Sequence, residues 1–182
     1  MIVAAAIALT FTGCILDAFK ELVQNLSVDR TFTLTGNTNS IPKQTQVFKL
    51  TDSQVYNDNK GKIKKLRYKA AAFCVTENSV PALQGDIILT LKAGTGTAAI
   101  PLFTKTLTGF KPNDYLGIKA KDLNLTDTEI AAINSYISNS AIYESITFTA
   151  DLSTANVTPA STSVTMKCFV SLAMEMTVDL EK

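Results

Sequence analysis

The chain has 182 residues with 17 Lys+Arg against 16 Asp+Glu, and its net charge of +1 argues against a general nucleic-acid binder, which is strongly basic as a rule. It contains no His and no Trp. The missing histidine excludes Ser-His-Asp triads, Cys-His dyads and every His-bearing zinc site.

The chain opens on an apolar run over residues 2–13 that ends at Cys14. It is too short for a bilayer span, which needs about 20 residues, but it suits the apolar core of a secretory signal. Thr12-Gly13-Cys14 resembles a bacterial lipobox, in which the cysteine thiol is acylated and becomes the new N-terminus. Phe11 stands where Leu is usual, and no Lys or Arg precedes Lys20, as a start codon set too far downstream would leave it. The expected organisation is a signal peptide over 1–13, a lipidated N-terminus with a short tether or helix over 14–27, and a domain over 28–182. Leu16, Phe19, Leu22, Val23 and Leu26 give the stretch 16–26 a helical stripe. No later segment is apolar enough to cross a membrane, so the chain would be anchored through lipid alone.

Strand signals come next. Val28, Phe32 and Leu34 alternate with polar residues in "VDRTFTLTG", and residues 45–51 form a second run. The segment "DSQVYNDNKG" (52–61) gathers Asp52, Asn57, Asp58 and Asn59, oxygen donors of the kind Ca²⁺ takes. It lacks the EF-hand spacing and lysines adjoin it, so it reads as a solvated turn. The run "KGKIKKLRYK" holds Lys60, Lys62, Lys64, Lys65, Arg67 and Lys69 with no acid. It would either meet an anionic surface such as lipid head groups or protect a sheet edge from aggregation. In "KLRYKAAAFCVT" strict alternation puts Leu66, Tyr68, Ala70, Ala72 and Cys74 on one face.

"DIILTLKA" and residues 97–108 read as strands joined by "GTGTAA" (94–99). That segment imitates a dinucleotide-binding glycine motif, but Pro101 stands in a β-like run where a helix would have to begin, so it reads as a hairpin turn. "SIPK" (40–43) matches a serine acyl-enzyme motif only in letters, because Pro42 and its loop setting forbid the helical turn the lysine needs. In "LTDTEIAAINSYISNS" Thr126 and Glu129 have capping-box spacing, Leu125 and Ile130 suit a hydrophobic staple, and Ile130, Ile133 and Ile137 form a stripe. "ESITFTADL" gives one more strand. In "SVTMKCFVSLAMEMTVDL" (163–180) every even position is apolar, predicting a long half-buried strand with a bend or bulge. Seven or so short strands separated by turn residues predict a mainly β fold, an antiparallel β-sandwich of Ig-like or Greek-key type, with one packed helix near 126–140.

Cys74 and Cys168 admit two readings, a disulfide in an oxidising compartment or two separate buried thiols. Cys14, the stretch "KLTDSQVYNDNKGKIKKLRYKAAAFCVTEN" with Leu50, Tyr56, Ile63 and Leu66, and a helix before the last two strands together resemble small lipoproteins of the Bacteroidota type. The resemblance implies no catalytic residues. The expected function is a non-enzymatic, membrane-anchored lipoprotein of the bacterial cell envelope, in the outer membrane on its periplasmic or surface face. It would serve as an accessory or structural subunit with an envelope protein partner and without metal or cofactor. The alternative is a periplasmic carrier of lipid or another apolar ligand, held between the sheet and the 126–140 helix.

Overall fold

The alternation at the C-terminal end becomes a 17-residue strand, Ser163–Asp179, in which all eight even positions from Val164 to Val178 are buried. The computed structural model describes residues 21–117, 120–140 and 143–181. Its elements are β1 (Glu21–Asn37), β2 (Gln44–Lys49), α1 (Gln54–Asn59), β3 (Ile63–Asn78), β4 (Gln84–Ala93), β5 (Ile100–Phe110), β6 (Ala120–Asp122), α2 (Asp127–Asn139), β7 (Thr147–Thr158) and β8 (Ser163–Asp179). Two four-stranded antiparallel sheets result, ordered β1-β8-β3-β6 and β2-β7-β4-β5. The antiparallel sandwich and its packed helix are as the sequence predicts, and the strand order is that of a double-sheet jelly roll.

Several expectations need correction. The stretch Glu21–Leu26 is strand, not helix, because β1 pairs with β8 residue for residue from Glu21↔Asp179 to Asn37↔Ser163. A helix there would leave backbone groups of β8 without partners, and tertiary pairing outweighs the weak helical stripe. Residues 21–27 thus belong to the first strand of the sandwich. At the other end the apolar alternation stops short of its last even position: Leu180 lies in a turn past β8 and is 49% exposed, while Asp179, at an odd position, is buried.

The bulges fall in β3 and not in β8. The β3–β8 register slips between Ile63 and Lys65, between Tyr68 and Ala70, and between Val75 and Glu77, each time adding one residue to β3. Each extra residue reverses the facing of the residues after it. The slip at Lys69 therefore hands the inner face from Leu66 and Tyr68 to Ala71, Phe73 and Val75, all buried. Ala70, Ala72 and Cys74, expected beside Leu66, lie on the outer face.

Strand β6 pairs only with Ala72–Cys74, so the upstream half of β3 lacks a strand neighbour on that side. Helix α2 covers it. Its capping box forms as predicted: the Glu129 backbone N–H donates to Thr126 Oγ1 at 3.3 Å, and the Thr126 N–H donates to Glu129 Oε2 at 2.7 Å. Ile133 and Ile137 are buried against the sandwich, and Leu125 and Ile130 pack on the core beside them.

Candidate functional site

Cys14, the expected acylation site, lies outside the described residues. Residues 15–20 separate it from Glu21, so an extended chain would reach about 24 Å at most from the cysteine to the first residue of β1. At that end of the sandwich three apolar side chains face water: Leu22 at 42%, Val23 at 58% and Leu180 at 49% exposure. Leu22 pairs with Val178 and Val23 with Thr177, two and three residues before Leu180, so all three lie at one tip of the β1–β8 pair, with Leu22 and Val23 on opposite faces of the sheet. On the other side of β8, Ile63 pairs with Val178 and Lys65 with Thr177, which brings the start of the basic run to the same end.

The basic run is largely matched by acids that lie far away in sequence. Lys64 Nζ is 3.2 Å from Glu21 and 3.4 Å from Asp179, Lys60 is 3.3 Å from Glu144, and Arg67 is 2.6 Å from Glu175. Lys69 Nζ donates to Asn25 Oδ1 at 2.8 Å. The bond to Glu21, with Asp179 adding, holds the Lys64 ammonium above its ordinary pKa. Among the described residues only Lys62 and Lys65 of the run have no ion pair or hydrogen bond from the side chain. An open cationic strip of six is therefore not what the fold presents; two lysines beside an apolar tip are.

Cys74 and Cys168 are free buried thiols. Cys74 pairs with Phe169, and Cys168 with Val75. The two cysteines thus sit one step apart on adjacent strands, and period two points their side chains to opposite faces of the sheet, which no disulfide spans. Of the two readings, the structure has separate thiols. Burial above all, with Cys74 adding, pushes the Cys168 thiol up to about 12.

The segment 52–61 is not a loose turn. Ser53 caps α1, and Tyr56 is buried. Asp52 pairs with Arg30, whose Nε donates to the Val47 carbonyl at 2.6 Å. Asn57 and Asn59 donate to the carbonyls of Thr51 and Val55. The oxygen donors do not converge, and among the described residues no group of three or more His, Cys, Asp or Glu could hold a metal ion. Residues 94–99 form the expected turn between β4 and β5, with Gly94 at φ 80° and Gly96 at φ 71°.

Between the sheet and α2, where an apolar ligand would sit, Ile133 and Ile137 are buried in the core. An apolar cavity between the sheets elsewhere, lined by Leu34, Leu83, Ile87, Phe110, Val164 and Met166 among others, measures about 20 Å³, room for about one water. Among the described residues no helix is long and apolar enough to cross a membrane.

No family model and no curated protein sequence matches the chain. Solved structures with a similar arrangement include the decameric BFDV capsid protein, 15% identical over 86% of this chain and 99% of that one, with a TM-score of 0.44. Desmodium yellow mottle tymovirus is 12% identical over 86% and 84%, with a TM-score of 0.38. A semi-empty particle of the giant freshwater prawn Macrobrachium rosenbergii nodavirus is 9% identical over 87% and 95%, with a TM-score of 0.33. The chain is a jelly-roll β-sandwich, an architecture that hosts many unrelated functions.

Proposed function

We propose that the chain is a membrane-anchored extracytoplasmic lipoprotein of the bacterial envelope, a non-enzymatic accessory or structural subunit held by acylated Cys14. The observation that supports this reading is the tip formed by Leu22, Val23 and Leu180 with Lys62 and Lys65 nearby, at the end of β1 that leads back to Cys14. Exposed apolar side chains cost little where they meet a lipid interface, and lysines beside them suit anionic head groups. A carrier of apolar ligands has less support, because Ile133 and Ile137 are buried in the helix–sheet contact and the apolar cavity between the sheets, at about 20 Å³, is too small for an acyl chain.

Fractionation of cells producing the full chain or its Cys14→Ala variant tests the anchor. The wild type should sediment with outer membrane at the mass of an acylated chain, and the variant should remain unprocessed and unacylated. Identical mass and fractionation of the two defeats the reading. Crosslinking and then affinity purification asks whether a membrane partner accompanies the wild type in stoichiometric amount, as a subunit requires.

A further inference from the structure

The two sheets end on one side of the sandwich in the edge strands β5 and β6. Helix α2 occupies part of that side, touching β5 through Lys105 and Glu129, whose charged groups are 2.7 Å apart. Farther along β5 the side opens into a cleft of about 530 Å³, lined by Thr106, Thr108, Lys111, Asp114, Tyr115 and Lys121 among others. That volume lies within the range of small-molecule sites.

The walls are held from behind. The turn Pro112–Tyr115 is tied to β3 by Asn78 Nδ2, which donates to Asn113 Oδ1 at 2.9 Å, and by the Gly117 N–H, which donates to the Val75 carbonyl at 3.1 Å. Gly109 has φ 59°, a conformation natural to glycine, and its N–H donates to Asp86 Oδ1 at 2.8 Å. Asn156 Nδ2 donates to the other Asp86 oxygen at 2.6 Å. Tyr115 stacks on Phe110 with ring centroids 4.9 Å apart, and Lys121 Nζ lies 5.9 Å from the Tyr115 centroid. A cleft with fixed walls loses little freedom on binding.

The cleft's polar groups are unengaged. Among the described residues the side chains of Thr106, Thr108, Lys111 and Asp114 have no hydrogen bond or ion pair, and Lys121 meets only the Tyr115 ring. The basic run on β3 is the opposite case, with most of its charges matched. Two ammonium groups in one cleft favour an anion, whereas Asp114 opposes a ligand that is anionic all round, such as phosphate. A carboxylate accepts hydrogen bonds from hydroxyl groups, and threonine hydroxyls both donate and accept. An apolar ligand would strip water from these groups without replacing its bonds.

We infer that this cleft binds an acidic sugar, a polyhydroxylated ring bearing one carboxylate. Lys111 and Lys121 take the carboxylate, and Asp114, Thr106 and Thr108 take the hydroxyls. The inference stands apart from the lipid anchor, because neither Cys14 nor the apolar tip takes part.

The test is an amide NMR titration of the full chain in detergent with glucuronate, glucose and inorganic phosphate. Glucuronate should shift the amides of residues 106–115 and 121 with a Kd of about 1 mM, as an open site with few contacts allows. Lys111→Gln and Lys121→Gln should each weaken glucuronate about tenfold, since a charge-assisted bond is lost, without changing the response to glucose. Asp114→Asn should weaken both sugars. Added salt should weaken glucuronate and not glucose. Phosphate shifting the same amides as strongly as glucuronate would overturn the assignment to a sugar, and no shift of these amides by glucuronate would overturn the site.

Discussion

The backbone N–H of Tyr68 donates to Asn134 Oδ1 at 2.8 Å, so one helical side chain takes the place of a strand neighbour along the open edge of β3. Unpaired edges invite pairing with other chains, and covering them is a recognised remedy. Asn134→Ala leaves the N–H of a buried residue without a partner and should cost about 1–3 kcal/mol in urea unfolding. Asn139→Ala, on the exposed side of the same helix, should change stability by no more than about 0.5 kcal/mol. Equal costs would show that α2 covers the edge by bulk alone.

The parity of β8 has a direct test. Leu172 is buried, whereas Thr177 is half-exposed on the outer face. Leu172→Ala should cost about 2–5 kcal/mol and Thr177→Ala about 0.5 kcal/mol. A larger cost at Thr177 would mean that the outer face is covered too.

The bulge at Lys69 should matter as a residue and hardly as a side chain. Lys69→Ala loses one exposed bond to Asn25 and should be nearly neutral. Deleting Lys69 removes the extra residue, so Leu66 and Tyr68 would turn outward or the rest of β3 would slip. Expulsion of two large core side chains should cost about 3 kcal/mol or more, readable as a fall in Tm. A deletion no worse than the alanine variant would show the register to be free to adjust.

Asp151 links stability to pH. Burial by itself would raise its pKa. The bonds from Lys92 at 2.6 Å and Thr45 at 2.6 Å, with Lys43 at 3.4 Å, instead hold the carboxyl below its ordinary 3.8. A native pKa below the unfolded one means stabilisation that is complete above the ordinary carboxylate range and is lost as pH falls through the native value. Asp151→Asn should therefore cost about 2 kcal/mol at pH 7, and the difference from wild type should shrink in acid below pH 3.8. A difference that stays constant with pH would rule out the charged form as its source.

Thiol chemistry separates the cysteines from a bridge. Burial raises both pKa values, with Asp29 adding at Cys74, and the thiolate is the reactive form. In a Cys14→Ala background neither thiol should react quickly with a maleimide at pH 7, and both should react after unfolding without reductant. If reductant is needed, the two are bonded.

How much of this was legible in the sequence differs from element to element. The β8 alternation, the strand pairs around "GTGTAA" and the capping box of α2 are local, since period and cap chemistry act within a few residues, and they could be read directly. The strand character of Glu21–Leu26 could not, because it depends on a partner strand about 150 residues away. The facing of β3 was misread beyond Tyr68 for a related reason: a bulge at Lys69 is set by the register against β8, and no residue type announces it.

The same division holds for the candidate sites. Sequence alone supplied the lipobox-like Thr12-Gly13-Cys14, the missing histidine and the basic run, because each is a matter of residue identity and short spacing. Only the tertiary structure decided that Glu21, Glu144, Glu175 and Asp179 match that run, and that "FKPND" forms one wall of a cleft with Lys121 at another. Charge pairing and concavity are properties of distance in space, and in a jelly roll each strand pairs with residues remote in the chain.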